Sequence, residues 1–427
     1  MKPDRDLKKL ENAFLVATYT GSENRKVCEE HLEELELLGK TLGVRSVGKM
    51  AVSIKKINAS TFINKGKIEE LIEEISHKEA NLLIFDDEIT PAQQRNLEKI
   101  FKIPVIERTE LILAVFAQRA HTKEAKLQVE LAQLRYQYPR LKKMWTHLSR
   151  QVGTGGPGAY LKGTGEKQIE MDRRLVRKRI EHLKKQIEEV KSTRDTQRTA
   201  RLRRGIPVFA IIGYTNAGKS TLLNALTEAD VLVEDKLFAT LDTTTRRYLL
   251  GNKQEILLID TVGFIRKLPH ALIAAFRSTL EEALQADILL HVVDVCHPLA
   301  EEQAETSYQV LQELNAENKP IITVLNKFDS CENRTMITRM RVKYPHTVVI
   351  SAKTGYGFED LRQEMHHQLR HYTQSATLRI PQKEFHLVSE VLRRGHILSQ
   401  EYVDNDIIIQ AELPKELYEM IKIYQIE

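Results

Sequence analysis

The sequence predicts an α/β protein whose central domain is built on a mostly parallel sheet, and three observations predict it. Apolar runs of strand length, among them Val208-Phe209-Ala210-Ile211-Ile212, Ile256-Leu257-Leu258-Ile259 and Ile321 to Leu325, are rich in β-branched residues. Stretches with helical periodicity alternate with such runs, the pattern of strands joined by crossover helices. Between the first run and the helical stretch Thr221-Leu222-Leu223-Asn224-Ala225-Leu226 lies a glycine-rich turn, Gly213-Tyr214-Thr215-Asn216-Ala217-Gly218-Lys219-Ser220.

The chain has 427 residues, too many for one core, and divides by texture into four segments. Residues 1–108 read as a small α/β domain. Ala13 to Thr18 and Leu82-Leu83-Ile84-Phe85 have strand character, and Ile103-Pro104-Val105-Ile106 suggests a last short strand. Asn24 to Leu42 and Lys67 to Lys78 have helical periodicity, and Thr90-Pro91-Ala92-Gln93 is a helix start with proline first. Asp86, Asp87 and Glu88 follow a strand end, which suits a metal or catalytic site, or simply a polar strand-to-helix turn.

Residues 109–205 predict an antiparallel helical hairpin. Leu127, Leu131, Leu134, Tyr138, Leu141, Trp145 and Leu148 step by four and three, and Val176, Ile180, Leu183, Ile187 and Val190 repeat the stepping. Pro139 predicts a kink. Gly153-Thr154-Gly155-Gly156-Pro157-Gly158 and Gly163-Thr164-Gly165-Glu166 place a glycine-rich loop at the tip. A 30-residue arm at about 1.5 Å per residue would reach roughly 45 Å. Residues 206–372 hold the glycine-rich turn and the three apolar runs and read as one further domain. Residues 373–427 read as a small C-terminal α/β domain, with a strand over Asp406 to Leu413 and a helix over Pro414 to Ile423.

Composition narrows the function classes. The three cysteines, Cys28, Cys296 and Cys331, have no ligand-like spacing, which excludes a disulfide framework or a cysteine zinc site and suggests a reducing compartment. No signal-peptide core and no apolar run of about 18 residues occurs, so a cytoplasmic protein without stable membrane insertion is expected. Residues 121–205 hold 22 Lys and Arg against 9 Asp and Glu, a net of +13 within a chain of +5, which leaves −8 for the remainder. A concentration this strong points to nucleic acid or a nucleoprotein. Its carriers near the tip and along the second helix are Lys142, Lys143, Arg150, Arg173, Arg174, Arg177, Lys178 and Arg179. The glycine loop reads as a connector, as an anion-binding nest, or as a loop inserted into structured RNA.

The turn Gly213–Ser220 fits G-x-x-x-x-G-K-[ST], in which backbone N–H groups converge on phosphate oxygens at a helix N-terminus. Lys219 is expected to reach the β- and γ-phosphates, and the Ser220 hydroxyl, preceding Thr221, to ligate Mg2+. Asp260-Thr261-Val262-Gly263 ends an apolar run. Asp260 then lies near Mg2+ through water, and the Gly263 N–H approaches the γ-phosphate. Asn326-Lys327-Phe328-Asp329 selects guanine: the Asp329 carboxylate accepts from N1–H and the N2 amino group, while adenine offers an acceptor at N1 and lacks that amino group. Lys327 would cover the purine with its aliphatic stem and Asn326 would brace the loop. Ser351-Ala352-Lys353 follows, with the Ala352 N–H suited to guanine O6. Four motifs in this order predict a P-loop GTPase domain using GTP/GDP and Mg2+. K+ is a further candidate ligand beside Asn216.

Phe238-Ala239-Thr240-Leu241-Asp242 occupies the place of a mobile switch. Thr240 is the expected hydroxyl on Mg2+ in the GTP state, with Thr243, Thr244 and Thr245 as competitors. Phe264 stands where many GTPases carry the glutamine that orients attacking water, so hydrolysis should be slow alone and stimulated by a partner. Arg266, His270, Arg246 and Arg247 are candidates for a group supplied in cis, or are solvated surface residues.

Several stretches resemble the HflX family. These are Glu107-Arg108-Thr109, Leu111-Ile112-Leu113, Phe116-Ala117-Gln118-Arg119-Ala120, Lys126 to Leu134, Trp145-Thr146-His147-Leu148 and Asp172-Arg173-Arg174-Leu175. The likeness resumes at Gly213–Ser220, Leu237 to Asp242, Asp260 to Arg266 and Leu268-Pro269-His270, and spans roughly residues 10–370. The resemblance implies a bacterial GTPase that binds the 50S ribosomal subunit and splits stalled or idle 70S ribosomes, particularly under heat stress. Its helical linker would reach rRNA near the peptidyl-transferase centre; no DNA partner and a monomeric state are expected. The glycine loop departs from the family's Gly-x-Arg-Gly-Pro-Gly-Glu: it is spread over Gly156 to Glu166 without the arginine. An NTP-dependent RNA-remodelling enzyme and a nucleotide-gated regulatory binder are the competing readings.

Overall fold

The computed structural model describes residues 12–145, 162–202, 206–227, 237–238, 243–250, 254–267, 285–316, 318–331, 334–370 and 373–426. They divide into two compact units, one of residues 1–189 with 234–242 and 267–277, the other of residues 190–233, 243–266 and 278–427.

The first unit begins with a four-stranded, all-parallel sheet in the order β2-β1-β3-β4, formed by β1 (Asn12–Tyr19), β2 (Arg45–Ser53), β3 (Leu82–Phe85) and β4 (Val105–Glu107). Helices α1 (Arg25–Thr41), α2 (Lys65–His77) and α3 (Pro91–Phe101) connect the strands, as the alternation predicts. The start of α3 follows from three residues. The Thr90 hydroxyl accepts from the Gln93 N–H, the Gln93 side chain accepts from the Thr90 N–H, and Pro91 needs no amide partner at the first position. Helix α4 (Arg108–Arg119) follows, then α5 (Lys123–Trp145) and α6 (Lys162–Leu202).

Pro139 leaves α5 as one helix. Leu127, Leu131 and Leu134 are buried from α5 and Leu183 from α6, so these members of the expected seam are core. Glu130 meets Arg179 and Tyr138 meets Arg177, the reversed order of an antiparallel pair. Helix α6 begins at Lys162, so Gly163 to Glu166 lie in its first turns rather than in a loop; residues 153–158 lie outside the described residues.

The second unit contains a six-stranded sheet in the order β10-β9-β8-β5-β7-β6. Its strands are β5 (Val208–Gly213), β6 (Thr244–Leu249), β7 (Glu255–Asp260), β8 (Ile288–Asp294), β9 (Ile321–Asn326) and β10 (Thr347–Val349), all parallel except β6. Alternate residues Phe209 and Ile211, Ile256 and Leu258, Leu290 and Val292 join one core with Leu222 and Leu223 of α7 (Lys219–Thr227) and Leu361 and Met365 of α10 (Phe358–Arg370). The opposite face packs Val293 and Leu325 against Ala300 and Ala304 of α8 (Ala300–Glu313) and Ile337 and Met340 of α9 (Arg334–Lys343).

The C-terminal segment forms an antiparallel sheet, β12-β13-β11-β14, from β11 (Thr373–Pro381), β12 (His396–Val403), β13 (Asp406–Pro414) and β14 (Gln425–Ile426). Helices α11 (Phe385–Arg394) and α12 (Lys415–Ile421) accompany it. Among the described residues no helix is long and apolar enough to cross a membrane.

Candidate nucleotide site

The phosphate loop joins β5 to α7, and its conformation explains its glycines. Gly213 has φ +139°, and a Cβ there would stand 2.1 Å from the Val292 carbonyl oxygen. Gly218, at φ +95°, would place a Cβ 2.3 Å from Asn326 Nδ2. A side chain at either position would push the loop off its neighbours. Asn216 is exposed and left-handed at φ 59°. Lys219 is buried, and its ammonium donates to the Tyr214 carbonyl at 2.7 Å. Burial lowers its pKa to about 8, with Asp260 acting in the opposite direction.

The end of β7 meets this loop. Ser220 Oγ donates to Asp260 Oδ2 at 2.6 Å, and Thr261 Oγ1 donates to the Ile211 carbonyl at 2.7 Å. The buried Val262 leads to Gly263, where a Cβ would stand 2.8 Å from Lys219 Nζ and 2.9 Å from Thr215 Cα. Phe264 is buried and bridged to the loop: its N–H donates to the Gly213 carbonyl at 3.0 Å, and its carbonyl accepts from Thr215 N–H at 2.7 Å. The Ser220 hydroxyl and the Asp260 carboxylate are oxygen donors side by side, a set that fits a hard divalent cation.

On the guanine side, Asn326 Nδ2 donates to the Ala217 carbonyl at 2.8 Å and Asn326 Oδ1 accepts from Ala352 N–H at 2.9 Å. The amide assigned to guanine O6 therefore already has a protein partner. Asp329 is solvent-facing and accepts from the buried Ser351 hydroxyl at 2.7 Å, which holds its carboxyl below the usual range; Ser330 adds a weaker bond. Lys327 is left-handed at φ 65°, and its ammonium pairs with Asp294 at 2.7 Å. The ring of Phe328 stacks on Tyr356 at 4.9 Å. Lys353 is exposed beside them.

Sequence reasoning missed Asp294 and Tyr356, and it named Tyr214 without the contact of its hydroxyl, which accepts from Arg266 N–H at 2.9 Å. No spacing rule marks them, because each partner comes from another part of the chain.

Other expected residues go elsewhere. Phe238, left-handed at φ 56° and buried, sets its ring edge-on to Phe116 at 4.5 Å within the first unit. Ala239, Thr240, Leu241, Asp242 and His270 lie outside the described residues. Arg246 and Arg247 are exposed, and Arg247 pairs with Glu255 at 3.2 Å. Arg266, read as a candidate in cis or a solvated residue, is only 7% exposed; the fold beside Phe264 takes it out of solvent. Asp86 and Asp87 are occupied in the first unit. Asp86 pairs with Arg108 at 2.9 Å and Lys267 at 3.1 Å, and Asp87 accepts from Thr18 and pairs with Lys267 at 2.9 Å. For Asp86 and Asp87 that arrangement is the polar turn.

In the hairpin, Arg179 forms a two-pronged pair with Glu130 at 2.7 and 2.9 Å, and Arg177 donates to Tyr138 OH at 2.8 Å. Arg174 and Lys178 are exposed and Arg173 is half-buried. Lys142 and Lys143 fall in α5, and Arg150 lies outside the described residues.

Three family descriptions match in succession: GTP-binding GTPase N-terminal over residues 29–117, GTP-binding GTPase middle region over 119–201, and 50S ribosome-binding GTPase over 208–327. The chain is 50% identical over 407 residues to the GTPase HflX of Chlamydia pneumoniae, covering 95% of this chain and 86% of that one. To GTPase HflX of Escherichia coli strain K12 it is 42% identical over 388 residues, covering 90% of each. A crystal structure of a GTP-binding protein from Sulfolobus solfataricus with GDP is 25% identical at a TM-score of 0.44, covering 84% of this chain and 98% of that one. With the phosphate loop, the Asp260 strand end and the Asn326 joint in one sheet, and with identity sustained along nearly the whole chain, this protein belongs to the HflX family of GTPases.

Proposed function

We propose that this GTPase acts on the large ribosomal subunit and separates 70S ribosomes into subunits, with GTP binding favouring the ribosome-bound form and hydrolysis releasing it. The observation that carries this reading is the match to 50S ribosome-binding GTPases over 208–327, the residues that form most of the nucleotide site. The basic stretch 121–205 supplies a surface suited to rRNA near the peptidyl-transferase centre. Such a protein would be cytoplasmic and partly ribosome-associated, monomeric, and indifferent to DNA.

In this reading the loop amides and Lys219 hold the β- and γ-phosphates, moving the Lys219 ammonium from the Tyr214 carbonyl to phosphate oxygen. Mg2+ bound with the nucleotide would offset the negative charge of the phosphates. Ser220 would hold it directly, Asp260 through water, and Thr240 in the GTP state. Gly263 offers its N–H to the γ-phosphate from a position where no side chain fits. Asp329 reads guanine N1–H and N2, while the Ala352 N–H shares or exchanges Asn326 for O6. Phe264 brings no polar group to water, so the group that completes catalysis comes from the ribosome-bound state. K+ beside Asn216 is part of the same proposal, tested by turnover in KCl against NaCl.

The test is GTP turnover with and without 50S subunits, together with sedimentation of 70S ribosomes in a non-hydrolysable GTP analogue. Stimulated turnover and conversion of 70S to subunits are expected. Stimulation without conversion would remove the splitting step, and no response would remove the ribosome.

A further inference from the structure

The cysteine count excludes a thiolate zinc site, yet the fold assembles nitrogen and oxygen donors from two distant stretches. His346 stands in the connection between α9 and β10, in a left-handed conformation at φ 54°, with its carbonyl accepting from Thr323 N–H at 3.0 Å. Glu364 and His367 are three residues apart on α10 and share a helix face. One donor atom from each of the three lies within 4.8 Å of the others.

The hydrogen bonding there is unbalanced in an informative way. Gln368 Nε2 lies 2.8 Å from His346 Nδ1 and 2.8 Å from Glu364 Oε1, so one amide group serves both. Those two atoms approach each other to 2.9 Å. A hydrogen on Nδ1 of a neutral imidazole would satisfy that pair alone; His367 Nδ1, 3.7 Å from the same Glu364 oxygen, adds a third donor to the cluster, the number of protein ligands an open zinc-type site takes. Tetrahedral zinc with bonds of about 2.0–2.1 Å spaces its ligand atoms roughly 3.3 Å apart. The observed 2.9 and 3.7 Å bracket that value.

We propose that His346, Glu364 and His367 form a binding site for a borderline divalent cation of the Zn2+ class, with solvent in the fourth position. Two imidazoles and one carboxylate select zinc-like ions over Mg2+, which takes oxygen ligands. Side-chain exposures of 42%, 22% and 57% leave the ion free to enter and exchange. The site is distinct from the Ser220–Asp260 pair. It links the start of β10 to α10, the two elements between which Ser351-Ala352-Lys353 hangs.

The test uses full-length protein without a histidine tag, saturated with GDP and millimolar Mg2+. Zn2+ alone is titrated against a chromophoric chelator, beside His346→Ala/His367→Ala and Glu364→Gln. One tight Zn2+ equivalent in the wild type is expected, weakened at least 30-fold in the double variant and about 10-fold in Glu364→Gln, with GDP affinity unchanged in the metal-free proteins. X-ray absorption should report two imidazole nitrogens in the wild type and none in the double variant. Equal Zn2+ affinity in wild type and both variants, or binding no tighter than that of scattered surface histidines, would overturn the site. If the double variant is poorly folded, Glu364→Gln and the absorption spectrum decide.

Discussion

Asn326 and Ala352 are joined by a hydrogen bond of 2.9 Å from the Ala352 N–H to Asn326 Oδ1, and through it the guanine side is tied to the phosphate loop. The other end of the same amide donates to the Ala217 carbonyl at 2.8 Å. One buried side chain therefore holds three loops that the sequence spaces far apart, over 109 residues in one direction and 26 in the other. Asn326→Ala removes both bonds at once. A cost of about 1–3 kcal/mol for polar groups left unpaired corresponds to roughly 5- to 150-fold weaker GDP binding. Titration with a fluorescent GDP analogue should read that loss, with a lowered melting temperature in the nucleotide-free protein.

Asp329 faces solvent with its carboxyl held ionised by Ser351. Asp329→Asn replaces an acceptor with an amide that also donates. Guanine's amino group then meets a donor, while xanthine, with a carbonyl at C2, finds a partner. A loss of GTP affinity of at least tenfold and a gain for xanthosine triphosphate are expected. Retained guanine preference would show that Asp329 does not read the base.

Burial disfavours the charge of Lys219 and lowers its pKa to about 8. GTP needs the charged form, so affinity should fall as pH rises through 8. From pH 7 to pH 9 the protonated fraction drops about tenfold, and the dissociation constant of GTP should rise by a similar factor. A flat profile would mean that Lys219 contributes no charge to binding. Lys219→Ala should abolish the dependence together with most of the affinity.

His291 is fully buried in β8, and neither ring nitrogen has a hydrogen-bond partner among the described residues. Burial, then the nearby Lys219 charge, depresses its pKa to about 3. The folded state therefore binds fewer protons than the unfolded state below the ordinary histidine value of about 6.5. Stability from this group is complete above that pH and falls by up to about 1.4 kcal/mol per unit toward 3. Urea midpoints at pH 7.5 and 5.5 should separate in the wild type more than in His291→Leu. Equal separation would place the acid sensitivity elsewhere.

The basic arm is tested by reversing the charge of Arg173, Arg174 and Lys178, which avoids Arg177 and Arg179 with their bonds to Tyr138 and Glu130. Binding to 50S subunits should weaken at least tenfold and its salt dependence should flatten, with GDP affinity unchanged. Unaltered ribosome binding would detach the charge of this helix from its proposed partner.

The parts of the site legible in sequence are those whose geometry is local. Gly213 and Gly218 had to be glycine because their backbone angles and close neighbours admit nothing else, and Lys219 and Ser220 follow them into the helix. The same holds for the α3 start at Thr90-Pro91-Ala92-Gln93. Periodicity was less reliable where tertiary contact intervened. Arg266 is a charge near a loop in sequence and a buried residue in the fold, and Phe238 carries a switch motif yet packs on Phe116.

By itself the sequence determined the α/β class, the order of the nucleotide motifs and the concentration of positive charge, because each depends on neighbouring residues or on counting. Only the tertiary structure decided that Ala352 answers to Asn326, that Lys327 pairs with Asp294, and that His346 meets Glu364 and His367. Those relationships follow from the strand order β10-β9-β8-β5-β7-β6, which brings distant strand ends to one edge. Packing of a shared core sets that order, and no local spacing encodes it.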